Sequence, residues 1–342
     1  MTIELPVFRL GFGGFSPSQE QVLLEAVRKS AAAATQWLAS ELPESDAWFM
    51  NGARVQVLGE QRVRVGAGTP GGKSVQLYLP DVDRPVAFSE PISAPQFRPS
   101  YTFDLTAPAS MDALLAKIDA WLAPLSAQFC LASHIVEHQT ALGAGIFEVH
   151  LNRAMVAMVD LHGGIGVLPT LSPSDLDQTV WQRRAVLGAM PENFVRTDLS
   201  VLMWNYSLRS QRDLLPRHYR TGPLYFRRPP RIAQRLLKDA HLLIMRQLAH
   251  EPTSFATLQK RTGLAEADLS HALATLYLVG TVTSNPKRAV VHQRPLRRID
   301  EQDTTHDQHS GLPSILDSVP APIAHSTGPA PDLTAPAPLR IS

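Results

Sequence analysis

A chain of 342 residues, 44% of them apolar, is long enough to bury two modest cores and still carry a tail. Its 32 Lys and Arg against 31 Asp and Glu exclude a global field that would draw the whole molecule to nucleic acid or to a membrane surface. One cysteine, Cys130, excludes an internal disulfide framework. With no basic-then-apolar leader and no run near ~18 apolar residues, the expectation is a cytoplasmic protein without a membrane partner.

In chain order, VFRLGFGGF (7–15) is an apolar run broken by glycines, a strand entering a loop. Ser16-Pro17 then caps a helix whose apolar positions follow helical spacing to about residue 34. TQWLAS and DAWFMNG are short strands. ARVQVLGEQRVRV and SVQLYLP alternate with period two, as half-buried strands do. PVAFSEP and SYTFDLTAP give two more strands, and residues 110–138 form a long helix. Alternating strands and helices predict an α/β domain with a largely parallel sheet over 1–140. Residues 141–216 form a mixed region: strands at GIFEVHLN, AMVAMVDLHGG and IGVLPT, then a helical, Trp-bearing stretch from about 173 to 215. A basic segment and a compact module occupy 217–298. From 299 to 342 the Pro, Ser, Thr and Ala content predicts a disordered tail.

Three motifs invite chemistry. GAGTPGGKS (66–74) has the outline of a phosphate-binding loop, but that loop needs a helix after its lysine, whose N-terminal amides meet the phosphates. SVQLYLP alternates as a strand and stops at Pro80, so the stretch reads as a hairpin, and Lys73 as a surface residue. DLHG (160–163) fits a magnesium loop and also an ordinary strand end. His134-Ile135-Val136-Glu137-His138 fits H-x-x-E-H, which places two imidazoles on one helical face. A distant helical glutamate ligand is missing, so the segment reads as a helix end turned to solvent.

The order of elements in the first 125 residues resembles the receiver domain of response regulators. The resemblance implies a phosphate-accepting position at Asn51, a Ser/Thr position at Ser89 in VAFS, and Ala107-Pro108 where that family carries Lys-Pro. Gly11-Phe12-Gly13-Gly14 stands where the family has its metal-binding acids. Aspartyl phosphorylation needs a carboxylate nucleophile, a held metal and a lysine. These replacements remove all three and leave a degenerate receiver. The GKS hairpin falls where the family's third helix would lie.

DAHLLIMRQLAH, PTSFATLQKRTGL and AEADLSHALATLYLVG are three helices, followed by TVTS and RAVVH as a two-stranded wing. The order resembles a winged helix-turn-helix. Such a module contacts DNA through its third helix. Here that helix has no Lys or Arg, and the candidate contacts are Lys260, Arg261, Ser270, His271, Lys287 and Arg288. The segment Arg217–Lys238 holds seven Lys or Arg and no acid, interleaved with aromatics. Arg227, Arg228, Arg231, Arg235 and Tyr225 are its candidate anion- or nucleotide-binding residues, against a reading as a linker paired with acids of the first domain.

The expected function is non-enzymatic. It is a signalling or regulatory protein of bacterial type that works by protein–protein interaction, with homodimerisation as one form. No catalytic residue, metal ligand or cofactor is expected. A DNA-binding transcriptional regulator is the first alternative, and a nucleotide- or cyclic-dinucleotide-responsive switch the second.

Overall fold

The computed structural model describes residues 4–30, 35–59, 61–138, 142, 145–161, 163–186 and 188–289. The predicted tail, 299–342, lies outside them, as does RAVVH from residue 290 on.

The first unit contains β1 (Val7–Gly13), α1 (Pro17–Ser30), β2 (Gln36–Ser40), β3 (Ala47–Met50), β4 (Val55–Gly59), β5 (Arg62–Val65), β6 (Val75–Tyr78), β7 (Val86–Glu90), β8 (Tyr101–Asp104) and α2 (Pro108–Glu137). A five-stranded parallel sheet runs β2-β1-β3-β7-β8. α1 begins as its sequence predicts. The Gln19 amide donates to Ser16 Oγ, and the Ser16 amide donates back to Gln19 Oε1 at 2.9 Å.

Period-two alternation gives the sheet two apolar faces. Phe8, Leu10, Ala47, Phe49, Ala87 and Phe103 pack against α1 and the first half of α2. Met50, Val86 and Phe88 face the other way, where a second sheet covers them with Val55, Val63, Val65 and Leu77. That sheet is antiparallel, ordered β4-β5-β6, and is inserted between β3 and β7. Strands therefore cover a face that helices cover in most doubly wound folds.

The second unit contains β9 (Ile146–Leu151), β10 (Ala154–Asp160), β11 (Gly164–Val167), α3 (Pro173–Leu176), β12 (Val180–Arg184), β13 (Val195–Asp198) and α4 (Leu199–Arg209). An antiparallel sheet runs β12-β9-β10-β11-β13. The helical reading of 173–215 holds only at its two ends. VWQRR and VRTD are the sheet's edge strands, too short and too exposed to carry legible alternation.

The last unit contains α5 (His218–Thr221), β14 (Pro223–Phe226), α6 (Asp239–His250), β15 (Thr253–Ser254), α7 (Phe255–Thr262), α8 (Glu266–Leu278) and β16 (Val282–Thr283). Ser254 caps α7, and Gly263 ends it with φ 69°, a left-handed turn suited to glycine. β14 lies between β15 and β16. The TVTS strand thus pairs with a strand that precedes the three helices.

One core unites the second half of α2, the antiparallel sheet, α4 and the last unit. The separation expected between 141–216 and 217–298 is therefore not seen in the packing. α2 joins the two halves of the molecule: Met111 to Leu122 belong to the parallel-sheet core, Ala127 to Ile135 to the second. α2 is also long and apolar enough, by length and composition, to cross a bilayer, although its apolar residues form no unbroken run. Half of its most apolar window is buried inside the protein, as for a shared core helix.

Candidate functional site

The carboxyl ends of parallel strands are the usual ligand crevice of such sheets, at the point where strand order reverses. Here that point lies between β1 and β3, and it is filled. Asn51 follows β3 and is 8% exposed. Its side-chain amide donates to the Gly14 carbonyl at 3.0 Å, and its side-chain oxygen accepts from the Ala53 amide at 3.1 Å. Ser89 is 1% exposed, and its hydroxyl accepts from the Gly52 amide at 3.1 Å. Ala107 is the N-cap residue of α2. Asn51 and Ser89 thus meet through Gly52, but as turn-holding groups with their polar atoms already engaged.

The hairpin that carries GKS helps to fill this end. A Cβ at Gly14 would press on Val65, and one at Gly68 would overlap the backbone of Phe15. Gly68 is a place where only glycine permits the approach. Lys73 is exposed at the loop tip, and no helix follows it. Ser74 accepts a hydrogen bond from Arg64 at 3.1 Å. Asp160 of the DLHG match ends β10 in the other large sheet, apart from this hairpin's sheet.

The His134–His138 pair is not turned to solvent. The His134 ring stacks between His138, at 4.0 Å, and Trp181, at 5.2 Å. Burial first, and then the neighbouring His138, hold His134 down to about 4. Glu137 is bound to Arg212. Burial pushes the Cys130 thiol up to about 12, so it carries little thiolate at neutral pH. Among the described residues, no group of three His, Cys, Asp or Glu is placed to hold a metal.

In the last unit, α8 packs on α4 and α6, and every residue from Leu269 to Leu278 except His271 is buried. Ser270, expected at a DNA surface, is buried and accepts from Arg220 at 2.6 Å. Lys260, Arg261, His271 and Lys287 are exposed, with Arg261 bound to Glu251, and Arg288 is half-buried. Of the five anion-site candidates, Tyr225 is a half-buried residue of β14, Arg227 and Arg228 are half-buried after it, and Arg231 is exposed. Only Arg235 among them lines a cleft at the junction of the two halves.

That junction was not legible in any motif. Glu4, with its side chain 7% exposed, accepts from Tyr206 Oη at 2.8 Å and Ser133 Oγ at 3.2 Å. It also binds Ser210 and pairs with Arg212 Nε at 3.1 Å. Asp46 pairs with Arg209 at 2.6 Å, both side chains nearly buried, and accepts from the Arg9 amide at 2.9 Å. Lys238 reaches Glu44 of the first unit at 2.7 Å, whereas Arg220 of the same basic segment pairs with Asp213 at 2.8 Å, outside that unit. Bonding to Lys238 holds the Glu44 carboxyl below its usual range.

No known protein family, no curated protein and no solved structure is significantly similar to this chain. The residues and their geometry are therefore the ground for assigning a function.

Proposed function

We propose that this chain is a non-catalytic regulatory protein: a degenerate receiver fused to a winged-helix body, acting by binding other proteins. The observation that carries this reading is the filled switch point. In the 2-1-3-4-5 parallel order shared by receivers, chemistry occurs at the carboxyl ends of the first and third strands. Here Asn51 is buried and hydrogen-bonded there, the acids that would hold magnesium are glycines, and the β4–β6 sheet stands in place of a helix. α2, shared by both cores, couples this domain mechanically to the rest.

The order α6, β15, α7, α8, β16, with β14 as the central strand, supports the winged-helix part of this reading. A helix that reads DNA must leave one face free for the major groove. α8 gives that face to α4, which supports protein contact over DNA contact.

The test has two arms. The purified chain is incubated with acetyl phosphate and magnesium and weighed by mass spectrometry, and its binding to duplex DNA is followed by anisotropy at two salt concentrations. The reading expects no phosphoryl gain and no salt-dependent binding. A stoichiometric phosphoryl adduct would overturn the degenerate receiver. Strong binding that weakens steeply with salt would favour the DNA-binding alternative.

A further inference from the structure

The junction cleft encloses about 420 Å³, within the range of small-molecule sites. Its lining holds five Lys or Arg and three acids, and the pairing among them is selective. Asp46 is taken by Arg209 at 2.6 Å, Glu44 by Lys238 at 2.7 Å and Asp83 by Arg84 at 2.9 Å. Every acid of the lining is thus neutralised by its own partner. Arg9 and Arg235 remain, and among the described residues neither makes a side-chain hydrogen bond or an ion pair. Arg9 adds longer-range electrostatic effects, a pull on Glu44 and a push on His271. The same cleft is lined by Trp121 of α2, a residue 41% exposed that leaves part of a large aromatic surface open.

Two surplus guanidinium groups and a bare indole are complementary to one kind of ligand: an anion that also carries a flat ring. Guanidinium forks match phosphate oxygens, and an indole face stacks on a base. We infer that this cleft binds a small-molecule nucleotide, with its phosphates on Arg9 and Arg235 and its base on Trp121. Arg9 lies in the first unit, Trp121 on the shared helix and Arg235 in the basic segment. A bound nucleotide would therefore clamp the two halves together and be stabilised by both. The inference rests on the cleft and not on the filled switch point, so either can fail alone.

The test titrates the full chain with ATP, GTP, AMP, a cyclic dinucleotide and inorganic pyrophosphate, following melting temperature and tryptophan fluorescence. At least one nucleotide is expected to raise the melting temperature and quench fluorescence saturably, and to bind at least tenfold tighter than pyrophosphate. Arg235→Ala should weaken that nucleotide tenfold or more while the free protein melts as before, because Arg235 is exposed and unpaired. Trp121→Ala should weaken the nucleotide similarly and leave pyrophosphate unchanged. The inference is overturned if no nucleotide binds at millimolar concentration. It is equally overturned if pyrophosphate binds as tightly as the nucleotide, or if Arg235→Ala binds like the parent.

Discussion

Glu4→Ala should loosen the junction more than its position near the start of the chain suggests. The carboxylate is nearly buried and serves Tyr206, Ser133, Ser210 and Arg212 together. Tyr206 is itself fully buried, and its phenol is held well above the usual range, by burial first and by Glu4 second. Truncation therefore strands a buried hydroxyl and removes the partner of a guanidinium. Breaking a buried pair in this way costs ~3–5 kcal/mol. The Arg212 side chain is 35% exposed and keeps Glu137, so water and that second acid recover part of the loss. About 2–3 kcal/mol should remain. With an m-value of ~3 kcal/mol/M, the urea midpoint should fall by nearly ~1 M. Tyr206→Phe removes one donor and should cost ~1–2 kcal/mol. The double variant should be less destabilised than the sum, since the two groups share one hydrogen bond. A Glu4→Ala loss below ~0.5 kcal/mol, or strict additivity, would refute the assignment of Glu4 as the junction's anchor.

Acid should destabilise the fold through His241. This ring is 3% exposed beside Trp204, its Nδ1 accepts from the Lys238 amide at 3.2 Å, and burial holds it down to about 4. Its folded value lies below its unfolded value near ~6.5, so the unfolded chain binds the extra proton. Stability should fall as pH drops from about 6.5 toward 4, with a ceiling near ~3 kcal/mol from this ring, and His241→Gln should make that slope shallower in urea titrations at several pH values, the remainder coming from His134, which is held down to about 4 in the same way. Lys73→Ala should change stability by less than ~0.5 kcal/mol, because the side chain is exposed and the loop is a hairpin tip. A larger loss, or a change in nucleotide binding, would restore the phosphate-loop reading. Gly68→Ala should cost ~1–3 kcal/mol by thermal unfolding, since the added methyl meets the Phe15 backbone.

The parallel sheet was legible because Phe8, Leu10 and Phe103 alternate with polar or small residues, and β3 reads as a short apolar run, against helices of clear period. Alternation in 53–65 and 74–80 announced β4–β6, and the element after Lys73 is the strand that this pattern predicted. Periodicity does not say which sheet a strand joins, so nothing announced that these strands would cover Met50 and Phe88. β12 and β13 were missed because edge strands bury few side chains and leave little pattern. The burial of Ser270 was invisible because α8 is packed from several directions, and a helix apolar nearly all round shows no free face. The junction was the least legible part. Glu4, Asp46 and Arg209 lie far apart in the chain and acquire meaning only when the fold brings them together.

The filled switch point is tested most directly by amide hydrogen exchange at Gly13–Phe15 and Asn51–Arg54, with and without magnesium and beryllofluoride, an acyl-phosphate mimic. The Asn51, Gly52, Ala53 and Arg54 amides all donate inside the fold, to Gly13, Ser89, the Asn51 side chain and the Asn51 carbonyl. The account predicts slow exchange at these four amides that neither additive changes. Rapid exchange there, or protection gained only when magnesium and beryllofluoride are both present, would show an open phosphorylation crevice and contradict it.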